Sequence, residues 1–269
     1  MRTIIYLGLI TLVLIGCKSY IQVFETNTTN TENEGGFFVY ETDMLKITYA
    51  FWAKKGILSF SVYNKLDQPI YIDWKKSSYI DNSNKLNYWV DEEISKSVSY
   101  YGSYFYDGPL LKPGFSVNEG IGAAAGSKVK VERITFIPPK SNYYRSQFYL
   151  IPLPYYKFDL NTVYKEVNRN DKPKKKTKVY NKEFTKQNSP LVFRNFLALS
   201  LSEDFENEFY VDNEFFLSNM IEMDYRHFKY DKKDEKGNHQ YIKPYKKQTS
   251  FYLYVPQEGT IEYRKFINR

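Results

Sequence analysis

The chain of 269 residues has one cysteine, Cys17, two histidines, His227 and His239, and no long hydrophobic run beyond residue 16. A single cysteine excludes an internal disulfide, so an exported form of this chain must be held together by its core. So few Cys and His residues also exclude metal centres built from those ligands. A nucleophile–histidine–carboxylate triad would need His227 or His239, and neither lies in a motif of that chemistry. The run Gly120-Ile121-Gly122-Ala123-Ala124-Ala125-Gly126-Ser127-Lys128 looks superficially like a phosphate loop, but the order Gly, four residues, Gly-Lys-Ser/Thr is missing. No catalytic residue, no cofactor-binding residue, no cofactor and no metal site is therefore read from the sequence.

The amino terminus is the most informative segment. Arg2 precedes an apolar run from Ile4 to Val13, which ends in Leu14-Ile15-Gly16-Cys17. A positive start, about ten apolar residues and a small residue before the cut describe a secretory signal, too short to span a bilayer. Leu14-Ile15-Gly16-Cys17 also resembles the lipobox of bacterial lipoproteins. That resemblance implies cleavage after residue 16, a diacylated Cys17 thiol and an acylated new amino terminus, hence lipidation at Cys17 and a membrane partner held through several acyl chains. Lys18 stands where enterobacterial lipoproteins retained in the inner membrane have aspartate, which points to the outer membrane. Residues 18–24 have no acidic cluster of the surface-export kind, which points to its periplasmic face. Residues 25–36 contain no apolar side chain, so residues 17–36 read as an acylated cysteine and a flexible tether.

The remainder of the chain is rich in aromatics, which number 27 Tyr and 20 Phe over the whole sequence within an apolar content of 42%. Such side chains suit a pleated, half-buried surface. Short apolar runs between turn residues predict strands at Met44–Ala53, Ile57–Tyr63, Ile70–Trp74, Tyr79–Ile80, Leu86–Val90, Val129–Ile137, Gln147–Ile151 and Leu191–Leu201. Further strands are expected at Phe215–Met223, Arg226–Tyr230, Tyr241–Ile242 and Ser250–Val255. Residues 155–167 and 213–223 are the best helix candidates. The expected fold is all-β, an antiparallel β-sandwich of immunoglobulin-like or Greek-key outline with long loops and little helix, spanning residues 37–269. The polar stretch 168–190, with Lys172-Pro173-Lys174-Lys175-Lys176-Thr177-Lys178, is either a loop within that fold or a subdivision between two lobes.

Four features are candidates for function. The acidic run Glu203 to Glu214 contains enough carboxylates for glycoside hydrolysis, which needs two of them across the scissile bond; a solvated turn is the plainer reading. His227 and His239 flank a hairpin with its turn at Asp234–Asn238. The tyrosine excess either covers sheet faces or forms a stacking surface for glycan. The cluster Lys172–Lys178 suits anionic headgroups or a polyanion, whereas a formal charge of +7 outside the cytoplasm does not suggest nucleic acid. Phe60–Trp74, Ile134–Ser141 and Phe205–Phe215 resemble segments of uncharacterised envelope lipoproteins of Bacteroidota, a resemblance that implies no activity. The expected function is a non-enzymatic, lipid-anchored envelope protein that binds an envelope protein or glycan; the alternative is a carboxylate-dependent hydrolase of envelope polysaccharide.

Overall fold

Alternation decides the first sheet: Leu58, Phe60 and Val62 are fully buried along one strand, and Leu45, Ile47 and Tyr49 along its neighbour. In the computed structural model, which describes residues 19–89, 132–151 and 153–268, the chain runs through β1 (Tyr20–Thr28), β2 (Glu32–Glu34), β3 (Phe37–Glu41), β4 (Leu45–Ala50), β5 (Ile57–Asn64), β6 (Ile70–Asp73), β7 (Ser78–Asp81) and β8 (Asn84–Asn87). It continues through β9 (Ile134–Ile137), β10 (Asn142–Tyr149), β11 (Tyr164–Asn168), β12 (Lys176–Glu183), β13 (Val192–Ser200) and β14 (Glu208–Asp224). The last elements are α1 (Tyr225–Phe228), β15 (Tyr230–Lys233), β16 (His239–Ile242), β17 (Ser250–Val255) and α2 (Ile261–Ile267). The fold is an antiparallel, all-β sandwich.

One sheet has the order β10-β5-β4-β3-β2. The larger sheet is organised by β14, whose 17 residues are long enough to take β13 and then β12 on one edge and β1 on the other. Beyond β1 lies β17, beyond β12 lies β11, and β13 is bordered by β6 and β7. The two sheets meet through aromatic rings. Phe215 of β14 touches Tyr49 at 4.8 Å, Phe51 at 5.2 Å, Phe193 at 5.3 Å and Phe38 at 5.5 Å between centroids. Edge and tilted packing of this kind adds to the area each ring removes from water.

A polar chain crosses the same core. The Tyr88 hydroxyl donates to Asn195 Oδ1 (2.6 Å), Asn195 Nδ2 donates to the Tyr49 hydroxyl (3.0 Å), and that hydroxyl donates to Asn213 Oδ1 (2.8 Å). Asn195 and Asn213 are register partners on β13 and β14, so one cross-strand pair of asparagines serves tyrosines brought in by the rest of the sandwich. Burial pushes both phenols well above their ordinary range and keeps them neutral donors.

The larger sheet is covered on two sides around β1. Inward, Gln22 Nε2 donates to Glu222 Oε2 (2.8 Å) and to the Tyr156 carbonyl (2.7 Å), and Glu222 Oε1 accepts from the Ile261 N–H (2.9 Å). This buried carboxylate ties β1, the segment before β11 and the start of α2 together; burial is the largest influence on it and raises its pKa, against the donors around it. Outward, Ile21, Val23, Ile221, Met223 and Tyr252 pack with Phe228 of α1 and with the half-buried Trp52.

Several expectations are corrected. Residues 20–28 are not a tether: β1 is paired along both edges, with Ile21, Gln22, Val23 and Phe24 fully buried. Its polar continuation is held by backbone partners that composition does not reveal. Thr26 Oγ1 donates to the Thr249 carbonyl (2.6 Å), Thr28 Oγ1 to that of Glu214 (3.0 Å), and Asn30 Nδ2 to that of Asp212 (2.6 Å). Glu32–Glu34 then turns through Gly35 and Gly36, φ +59° and +84°, to pair with β3. Two successive positive φ angles make the tight turn that suits a hairpin and that glycine adopts freely. Residues 213–223 are strand rather than helix, because β13 and β1 offer backbone partners on both edges. Asp224 accepts from the Arg226 N–H (2.7 Å) and starts α1 where a strand was expected at Arg226–Tyr230. Residues 155–167 contain no helix but end in the first residues of β11, and α2 is capped by Thr260, which accepts from the Tyr263 N–H (3.3 Å). The lysine-rich stretch forms the turn and second strand of the β11–β12 hairpin, and β12 continues the large sheet.

Gly56 links β4 to β5 with φ +66°, and a Cβ there would lie 2.8 Å from Phe251 Cγ and 3.0 Å from Leu150 Cδ1. Gly56→Ala therefore meets both an unfavourable backbone region and a closed core, and is expected to lower unfolding stability by about 2 kcal/mol or more. Urea denaturation of the variant beside the parent chain checks this.

Candidate binding face of the large sheet

The alternation that sends Phe193, Asn195, Leu197 and Leu199 of β13 into the core turns Arg194, Phe196, Ala198 and Ser200 to the other side, where the small Ala198 and Ser200 are themselves fully covered by their neighbours. Register extends that outer surface across four strands. Ser200 lies opposite Glu208 on β14 and Tyr71 on β6, and Tyr71 lies opposite Phe136 on β9; Ala198 lies opposite Tyr210, and Phe196 opposite Asp212. Two aromatic pairs result. Phe196 and Tyr210 stack at 5.4 Å with an interplanar angle of 22°, and Tyr71 meets Phe136 edge-on at 5.6 Å. Tyr210 is 56% exposed and Phe136 52%, so each presents about half of its surface to solvent.

Polar groups surround these rings. The Tyr210 hydroxyl donates to Glu208 Oε2 (2.7 Å), Lys76 pairs with Glu208, and Arg194 Nε donates to Asp212 Oδ1 (2.9 Å). The Asp212 carboxylate holds the Arg194 guanidinium further above its ordinary pKa. Phe205, in the β13–β14 turn, has a left-handed backbone with φ +59°, and its ring lies 5.8 Å from Lys76 Nζ. A bulky residue is seldom placed in that backbone region, so the turn accepts a conformational cost to set an aromatic ring at this margin.

The acidic run supplies part of this surface and does not form a facing pair of carboxylates. Glu203, Asp204 and Glu206 are exposed in the turn, where Asp204 Oδ1 accepts from Ser202 Oγ (2.6 Å) and the Glu206 N–H (3.2 Å). Those donors lower the Asp204 pKa. Glu208, Asp212 and Glu214 project to one side of a single strand and engage Lys76, Arg194 and Lys186 respectively. Such an arrangement offers hydrogen-bond acceptors along a surface; glycoside hydrolysis needs an acid and a second carboxylate on opposite sides of a bond.

The histidines are separated. His239 lies on β16 and contacts Asp231 across the β15–β16 hairpin, whose turn is Asp234–Asn238. His227 is buried in α1: its Nδ1 accepts from the Asn170 N–H (3.3 Å), which leaves Nε2 to donate to the Tyr245 hydroxyl (2.8 Å). Burial lowers its pKa, which favours the neutral ring. Among the described residues no cluster of three or more His, Cys, Asp or Glu is placed to hold a metal ion. Cys17 and Gly120–Lys128 lie outside the described residues, as do Val90 and residues 129–131 of the expected strands. The exposed aromatic face was foreshadowed only by composition. Its residues come from β6, β9, β13 and β14, and no local spacing joins them.

A histidine whose folded pKa is depressed adds stability above its unfolded pKa of about 6.5, and that stability is lost as pH falls through the folded value. His227→Phe is therefore expected to flatten the acid-side fall of the melting temperature below about pH 6.5, measured by thermal melts across pH.

The chain matches no protein-family model, no curated protein and no solved structure.

Proposed function

We propose that this chain is a non-enzymatic, lipid-anchored protein of the bacterial cell envelope that binds glycan on the outer aromatic face of its large sheet. The observation that carries the reading is two half-exposed rings, Tyr210 stacked on Phe196 and Phe136 packed against Tyr71, beside Glu208, Asp212 and Arg194. A pyranose has an apolar C–H face that lies against a ring and hydroxyls around its rim that exchange hydrogen bonds with carboxylates and guanidinium groups. An open strip of both kinds suits a polymer laid across the strands. Ion-paired carboxylates on one strand favour holding such a chain over cleaving it.

The anchor half of the proposal rests on Leu14-Ile15-Gly16-Cys17, with Lys18 behind it favouring the outer membrane and its periplasmic face. No described helix is long and apolar enough to cross a membrane. In this reading acylation of Cys17 supplies attachment, and the sandwich supplies recognition.

Affinity electrophoresis of the purified full chain against soluble peptidoglycan fragments, lipopolysaccharide-derived glycan and a panel of plain polysaccharides tests recognition. At least one should retard the protein, and Tyr210→Ala or Phe136→Ala should weaken that retardation about fivefold to tenfold while leaving the melting temperature near that of the parent. Retardation by none of them, or retardation indifferent to both substitutions, contradicts the glycan reading. For the anchor, radiolabelled palmitate should enter the expressed chain and Cys17→Ala should abolish both label and membrane retention. A membrane-bound, unlabelled parent contradicts it.

A further inference from the structure

We infer that the β11–β12 end of the large sheet, centred on Lys172, Lys174 and Lys175, is a membrane-contacting surface for anionic phospholipid headgroups, seated beside the point where the acyl chains attach. This inference rests on the lipid-anchor reading of Cys17 and gives the anchored domain an orientation.

The placement comes from register. Tyr20 is paired with Asp224, at the end of both β1 and β14. On the opposite edge of β14, Tyr180 of β12 pairs with Glu222; two residues further along β12 is Lys178, and two further along β14 is Asp224. Lys178 is thus level with Tyr20, across two strand spacings or about 10 Å. Lys176, paired with Asn168, lies further out, and the turn containing Lys172, Lys174 and Lys175 lies beyond it. The three lysines are exposed at the end of the sheet from which the chain leads back to Cys17.

Helix α1 fixes the two features to each other. The Tyr225 N–H donates to the Ser19 carbonyl (2.9 Å), at the beginning of the described chain. Two residues on, the His227 carbonyl accepts from Asn170 Nδ2 (2.6 Å), in the lysine-rich turn. The turn is closed by its own backbone, with Lys175 N–H donating to the Lys172 carbonyl and Arg169 N–H to that of Lys175, each at 2.8 Å.

Distance and charge then identify the surface that this end meets. Only Lys18 and Ser19 separate Cys17 from Tyr20, so an acylated Cys17 lies within about 11 Å of Tyr20 even if fully extended. This end of the sheet is therefore held at the headgroup layer. Arg169, Lys176, Lys178 and Arg226 line a recess of about 350 Å³ there together with Glu166, Glu222, Asp224 and Glu262, so the recess itself carries both signs of charge. Lys178 pairs with Glu262, Lys176 with Glu166 and Arg169 with Asp171, so these bases are matched locally by acids. The three turn lysines project outwards on a polar hairpin, and their charge is complementary to lipid phosphate. Juxtamembrane basic groups of this kind strengthen attachment and fix which side of a domain faces the bilayer.

Lysine footprinting tests this on the full-length chain purified from the expressing bacterium and reconstituted into vesicles. One set is phosphatidylcholine alone, the other phosphatidylcholine with about a quarter phosphatidylglycerol. Acetylation of Lys172, Lys174 and Lys175 should be about fivefold slower on the anionic vesicles, a factor per site set by the surface potential. The difference should disappear at about 1 M salt, where screening acts over roughly 3 Å. Lys186, paired with Glu214 beside the far end of β1, should react equally on both sets. Equal rates at the three turn lysines on both vesicle types at low salt overturn the proposal. The mass of the amino-terminal peptide is read from the same sample: an unacylated peptide overturns the anchor reading alone, and slower acetylation confined to anionic vesicles then still supports the lysine surface.

Discussion

Strand β1 is hydrogen-bonded along both edges, to β14 from Tyr20 to Thr28 and to β17 from Tyr20 to Glu25. It inserts the first described part of the chain between two of the last strands, so the large sheet is complete only when residues from opposite ends of the sequence have met. Neither neighbour can replace it. Without β1, the inner edges of β14 and β17 would leave unpaired backbone groups next to a core that includes Leu217, Phe251 and Leu253, and buried unpaired backbone is costly. Phe24 and Phe251 stack across the β1–β17 boundary at 4.9 Å and nearly parallel, while Gln22 and Glu222 join across the β1–β14 boundary. The inner side of this strand thus combines a large apolar contact with a buried polar one.

That constraint reaches both the aromatic face and the lysine-rich end of the large sheet. Because β1 occupies one edge of β14, β13 and β12 must share the other, and β14 has to run past both. Its first half carries Glu208, Tyr210 and Asp212 to the outer aromatic face beside β13. Its second half ends at Asp224, which pairs with Tyr20 and caps α1. One strand therefore links the proposed recognition surface to the end from which the chain leads back to Cys17.

The sequence made the sandwich legible because its signal is local. Leu58, Phe60 and Val62 alternate within one strand, and Ser250–Val255 is bounded as its pattern suggests. Failure came where partners are distant. Glu25, Thr26, Thr28 and Asn30 look like linker residues, yet their side chains and backbone are satisfied by Lys247, Thr249, Glu214 and Asp212. Residues 213–223 looked ambiguous because their second half, Met220 to Met223, is buried on both faces and breaks the alternation that would distinguish a strand from a helix. The candidate face was less legible still: Phe136 and Tyr210 are ordinary strand residues until register places Tyr71, Ser200 and Ala198 between them. The two histidines and the acidic run did stand out, but their surroundings give them structural work: a neutral buried imidazole, a hairpin contact, and a row of ion-paired carboxylates.

The dependence of this architecture on β1 can be read by amide hydrogen exchange on the full-length chain. Ile21 to Glu25 should exchange as slowly as Phe215 to Met223 of β14, since opening one strand exposes the other. Exchange of Ile21 to Glu25 at the rate of an unstructured peptide, with β14 still protected, would show a tether there and contradict the central position given to this strand.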